Sequence, residues 1–312
     1  MSEPAAAPHV RTTTSPLLVH SALFFVALLF GLNYVVAKVA FREVSPLTLL
    51  IIRTWGAAAI LFGALALRRP AEPYPKFTPR EYGELFVYSL LGASINQICF
   101  LVGLSRTSAT NASIIFVLVP LFTMAFALML RRERASVTGV LGIFVGLAGA
   151  LILILPRGVD ISASATSGNL LLLAGGASYA LYLVLTKPIL ARHDPLRVVA
   201  WLFLMAGMTA LPFGIGGLRD LFATGLTGAG VASVAFVVVG ATALPYLLNS
   251  WALVRVNSSV VAIYVLVQPL VAGALGRIVF DEALAAHAAV AAFLIVAGVA
   301  LSSWRRGTLQ RA

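Results

Sequence analysis

The chain has 312 residues, 60% of them hydrophobic and only 11% charged, far short of the roughly 25% charge that covers an ordinary soluble domain. Its 22 Lys and Arg against 11 Asp and Glu give a net charge of +11, but the basic residues fall in short clusters between apolar runs. That pattern excludes a basic nucleic-acid-binding face and points to lipid as the solvent for most of the surface. The single cysteine, Cys99, lies inside an apolar run, which excludes a disulfide framework and a multi-cysteine metal site.

A membrane-spanning helix needs about 20 mostly apolar residues. Residues 1–16, rich in Ala, Pro and Thr, read as a disordered cytoplasmic tail. No small-residue cleavage site follows the first apolar run, so that run reads as a retained span. Spans are then expected near 17–40, 46–67, 82–104, 107–130 and 135–155. After a Ser/Thr/Gly-rich linker at 156–167 come five more, near 168–190, 197–216, 228–252, 256–279 and 284–304, and a short basic tail at 305–312. The expected fold is therefore an all-α integral membrane protein of about ten transmembrane helices.

The sequence repeats itself at a long, constant offset. A shift of 149 residues superposes Lys38 on Lys187, Pro46 on Pro195, Arg106 on Arg255, Pro120 on Pro269, Glu133 on Glu282 and Gly149 on Gly298. The polar, Pro and Glu matches carry the weight, because apolar residues coincide easily. Residues 17–155 and 168–304 thus read as two five-helix units. Five is an odd number, so the second unit must enter the membrane in the opposite sense, the inverted-repeat architecture of many secondary transporters. With the N-terminus in the cytoplasm, fifteen Lys and Arg flank the spans inside and six outside, while Arg53 lies within a span. That bias places both termini in the cytoplasm and the 156–167 linker outside.

Polar groups within a bilayer are costly and are by default functional candidates. The expected cavity residues are Asn33 and Tyr34 in the first span, Asn96 and Gln97 in the third, Tyr179 and Tyr182 in the sixth, Tyr246 and Asn249 in the eighth, and Tyr264 and Gln268 in the ninth. The competing reading is that such groups hold helices together. Lys38, Lys187 and Arg53 are candidate gating or anion contacts; the alternative for the two lysines is snorkelling to the headgroups. Pro120 and Pro269 sit mid-span and predict symmetric helix kinks. Gly142 and Gly146 form a GxxxG and predict close packing of the fifth span. All eleven acidic residues fall in tails, loops or terminal turns, so no midplane carboxylate is available for proton coupling, and Glu133 and Glu282 are expected to pair with arginines or cap helix starts. No phosphate-binding glycine loop and no metal-binding histidine spacing occurs, so neither a cofactor nor an enzymatic function is expected.

Three motifs in order, the last of them duplicated, resemble the EamA-type permeases of the drug/metabolite transporter superfamily. They are Gly31–Lys38 in the first span, Arg53 in the second, and Ser108–Glu133 with Pro120 at its middle, copied as Ser258–Glu282 with Pro269. The pattern departs at Phe30, where the family commonly has tryptophan, and at Leu202, which stands where a second Arg53 would be. The resemblance implies two inverted five-helix units around a central cavity. It also implies a secondary transporter, an exporter in the cell's inner membrane, for a small organic metabolite such as an amino acid. Its partners would be the bilayer and a small-molecule solute, with no nucleic acid. A multidrug or other metabolite permease is the alternative within that class; a membrane enzyme and a non-transporting scaffold are the rivals outside it.

Overall fold

The structure, a computed structural model, describes residues 14–68, 74–134, 136–154, 162–271, 274–275 and 287–303. Every element among them is helical. Helix starts follow a local signal that recurs along the chain. A Ser, Thr or Asp that caps the free backbone N–H groups is followed by a proline whose missing N–H costs nothing in the first turn. Ser45 accepts from the Thr48 amide ahead of Pro46, and Asp194 from the Leu196 amide ahead of Pro195. Thr78 and Glu81 form a reciprocal capping box ahead of Pro79.

The first unit holds α1 (Pro16–Ala40), α2 (Pro46–Leu67), α3 (Pro79–Arg106), α4 (Ala109–Phe116), α5 (Val119–Met129) and α6 (Val137–Ile154). The second holds α7 (Ala163–Arg192), α8 (Pro195–Thr224), α9 (Gly228–Leu253), α10 (Ser258–Val271) and α11 (His287–Ser303). Six of these helices are long and apolar enough to cross a membrane: α1, α2, α3, α7, α8 and α9. The others are shorter apolar helices. Helix α8 is the clearest departure from the expected span, running to Thr224 through Pro212 rather than ending near residue 216.

Two irregularities repeat with the sequence. Helix α3 carries a π-helical turn at Leu90–Ile95, and α9 carries one at Val239–Ala243, 149 positions later. The chain breaks between α4 and α5 just ahead of Pro120, and α10 tightens into a 3₁₀ turn at Tyr264–Val267 just ahead of Pro269. Proline supplies no N–H, so the carbonyls four residues earlier, those of Phe116 and Val265, lose their helical donors.

Packing follows the same two-fold logic. Helix α2 lies against its repeat-mate α8, and α6 against its mate α11. Helix α1 packs on α9, as α7 packs on α3. At the α6–α11 crossing a Cβ built on Gly298 would stand 2.5 Å from the Gly146 nitrogen and 2.6 Å from the Gly142 carbonyl oxygen, so the GxxxG meets backbone directly. Large apolar side chains cover the outer surface, with Phe222 86% and Phe293 72% exposed, as suits lipid contact. Charged ties sit at the bundle ends. The Glu43 carboxylate accepts from Thr227 Oγ1 at 2.6 Å and from its amide at 2.8 Å, capping the start of α9. The matching corner of the other unit joins His193 and Arg192 to Glu81, at 2.9 and 3.1 Å.

Glu133 also caps a helix. It accepts from the Ser258 amide and from Ser259 Oγ, both at 2.7 Å, at the start of α10. Its mate Glu282 lies outside the described residues, as do residues 1–13 of the first tail, the tail at 305–312 and residues 156–161 of the linker.

Candidate functional site

Between the two units lies a cavity. Helix α1 lines it with Phe30, Asn33 and Tyr34, α2 with Arg53, and α3 with Asn96, Gln97 and Phe100. Helix α4 adds Phe116, α7 Tyr179, α9 Tyr246, and α10 Val265 and Gln268. Half of the wall falls into repeat-mates: Phe30 and Tyr179, Gln97 and Tyr246, and Phe116 and Val265 each stand 149 positions apart. The cavity therefore sits on the relation between the units, where equivalent surfaces of each unit face each other.

Polar groups in the wall are tied into two small networks. Gln97 Nε2 donates to the Tyr246 hydroxyl at 2.6 Å, a bond between repeat-mates, and to Asn96 Oδ1 at 3.1 Å. The Tyr246 hydroxyl lies 2.7 Å from the Gly92 carbonyl oxygen and 3.2 Å from Asn96 Oδ1, so its single proton has two acceptors. Across the cavity, Tyr34 donates to Gln268 Oε1 at 2.9 Å, joining α1 to α10. The π turns are what expose the backbone here. Gly92 and Ala241 are repeat-mates in the two turns, and each carbonyl accepts a side-chain donor: Tyr246 at Gly92, and Arg53 Nη2 at Ala241, at 3.0 Å. Arg53 Nε also donates to Thr242 Oγ1 at 2.9 Å.

Eight of the thirteen residues put forward as cavity or anion contacts thus come together on one wall. Tyr182 and Asn249 stand one layer behind it: Tyr182 stacks on Tyr179 with ring centroids 5.9 Å apart, and Asn249 Nδ2 donates to the Tyr179 hydroxyl at 2.8 Å. Three lie elsewhere. Tyr264 is bound to His20 Nδ1 at 2.7 Å, Lys187 donates to the Val256 carbonyl at 3.0 Å and Asn257 Oδ1 at 3.3 Å, and Lys38 is half-buried off the wall. The two lysines do not form a pair at the cavity, because each sits at its helix's final turns rather than at the depth of the π turns. Phe30, Phe100, Phe116 and Val265 escaped sequence reasoning, since an apolar residue in an apolar helix gives no sign of whether it faces lipid or cavity. The offset alone held a clue, placing Phe30 opposite Tyr179. No described carboxylate lines the cavity.

The family model of the EamA-like transporter family matches the chain twice, over residues 17–155 and 166–304. The chain belongs to the EamA-like transporter family. Among relatives of this EamA-like transporter, an uncharacterized transporter of Archaeoglobus fulgidus is 24% identical over 288 residues, covering 91% of this chain and 96% of its own. The uncharacterized transporter YcxC of Bacillus subtilis is 23% identical and covers 93% of both chains. A WAT1-related protein of Arabidopsis thaliana is 31% identical over 159 residues, 48% of this chain and 44% of its own. A solved crystal structure shares the fold, with a TM-score of 0.73 at 20% identity, over 95% of this chain and all of that one. The protein is a multi-pass membrane transporter.

Proposed function

We propose that this EamA-like transporter is a secondary exporter of a small organic metabolite such as an amino acid, working by alternating access to the central cavity. In this reading α4 and α5 act as one span and the shorter α6, α10 and α11 each span as well, giving ten passes in two inverted five-helix units. Both termini then lie in the cytoplasm of a cell's inner membrane. Substrate meets Asn33, Tyr34, Asn96, Gln97, Tyr179, Tyr246 and Gln268, with Tyr182 and Asn249 holding Tyr179 in place.

The observation that carries the proposal is the 2.6 Å bond between Gln97 and Tyr246 on the cavity wall. Positions equivalent in the two units meet there, at the place where an exchange of conformations between units would open a shared site to one side and then the other. Flux from proteoliposomes loaded with mixed amino acids and organic acids tests it: the protein should release a subset faster than protein-free vesicles do. Release at the protein-free rate for the whole mixture would overturn the transport reading. For orientation, in a Cys99→Ala background Ser162→Cys should react with an impermeant thiol reagent on intact cells and Arg80→Cys should not. The reverse pattern would overturn it.

A further inference from the structure

We propose that Arg53 is the anchor for a singly charged carboxylate on the transported ligand, received by its Nη1. The proposal rests on the transport reading of the same cavity and names its substrate class. Arg53 is 1% exposed, lines the cavity, and spends only part of its donor fork. Nε is committed to Thr242 Oγ1 and Nη2 to the Ala241 carbonyl, while Nη1 is buried with no partner. Both bonds land on the π turn of α9, just ahead of Pro245, whose missing N–H takes the helical donor from the Ala241 oxygen. The fold therefore fixes the guanidinium plane with one nitrogen free, a preorganised donor rather than a swinging side chain.

Charge decides the class of ligand. The two partners of Arg53 are neutral, and no described carboxylate lines the cavity, so the site holds one uncompensated positive charge. An unpaired buried guanidinium is among the costliest arrangements in a membrane protein, and a ligand that brings the anion removes that cost. A dianion such as a phosphate monoester would leave the cavity net negative, because Lys38 and Lys187 lie off the wall; a carboxylate balances it. Asn33 Oδ1 and Gln97 Oε1 are also buried without partners, but as neutral acceptors they leave the sign of the ligand to Arg53. The rings of Phe30, Tyr34, Phe100, Phe116, Tyr179 and Tyr246 suit a flat, apolar body behind the carboxylate.

The test is a thermal-shift titration of the purified full chain in detergent with three probes that share a benzyl group: phenylacetate, phenylacetamide and phenethylamine. Phenylacetate should stabilise the wild type at a concentration at least about tenfold lower than the other two. Arg53→Leu, the residue found at the equivalent position 202, and Arg53→Gln, which keeps a donor for the Ala241 carbonyl, should each weaken phenylacetate binding by about 10- to 100-fold, the span of a charge-assisted hydrogen bond. Neither should weaken phenylacetamide comparably. Equal stabilisation of the wild type by the amide or the amine, no stabilisation by phenylacetate, or undiminished phenylacetate binding in either variant would overturn the proposal, and the wild-type series stands even if a variant fails to fold. The two readings fail separately: wild-type flux confined to solutes without a carboxylate, in vesicles loaded also with amines and amides, sinks the anchor and spares the transporter, whereas phenylacetate binding without flux of any solute does the reverse.

Discussion

Removing the hydroxyl of Tyr246 should loosen the junction of the two units by a measurable amount. Tyr246→Phe deletes one bond accepted from Gln97 Nε2 at 2.6 Å and one donated to the Gly92 carbonyl at 2.7 Å, while the ring contacts to Phe203 and Tyr179 remain. A side-chain hydrogen bond between helices in a membrane contributes on average about 0.6 kcal/mol and at most about 1.7. Two lost bonds therefore predict a cost of about 1–2 kcal/mol. Tyr179→Phe is the internal standard, because it deletes the bond accepted from Asn249 Nδ2, so it should cost about half as much. Reversible unfolding in mixed detergent and denaturing-surfactant micelles gives both free energies, and a cycle adding Gln97→Leu should show a coupling near 0.6 kcal/mol. A Tyr246→Phe cost no greater than that of Tyr179→Phe, with no coupling to Gln97, would refute the claim that this bond ties the units together.

Three further outcomes follow from the packing and the end contacts. Gly298→Ala should destabilise by about 1–3 kcal/mol in the same unfolding assay, because its methyl meets the backbone of Gly142 and Gly146; wild-type stability would show that the α6–α11 crossing yields. The Thr227 hydroxyl and amide hold the Glu43 carboxyl below its ordinary pKa, so its contribution is present above the unfolded value and is lost as pH falls through the folded one. Melting curves between pH 7 and pH 3 should accordingly show a smaller acid-induced loss for Glu43→Gln than for wild type, and parallel losses would count against the cap. Glu133→Gln should cost about 1 kcal/mol at the start of α10, yet leave any accumulation driven by a pH gradient intact; loss of that accumulation with downhill flux retained would make Glu133 a coupling site instead of a cap.

The sequence by itself determined the solvent of this protein, its repeat and most of its helix starts. Those properties are local or periodic: charge scarcity is a count, the 149-residue offset is a self-comparison, and pairs such as Ser45-Pro46 and Asp194-Pro195 act within one turn. It also marked Asn33, Tyr34, Asn96, Gln97, Tyr246 and Gln268, because a polar group in an apolar helix needs a partner wherever it lies. Only the tertiary structure decided which of the marked residues meet. Lys38 and Tyr264 carry the same sequence signal as Tyr34, yet lie off the wall, since depth and rotation of a helix are set by its neighbours and not by its composition. The π turns of α3 and α9 were equally illegible, because no residue type encodes an i→i+5 turn, and it is these turns that turn the Gly92 and Ala241 carbonyls toward Tyr246 and Arg53. Phe30 and Phe116 were apolar residues among many until packing turned them from lipid to the cavity, where the partners that define them come from the other repeat.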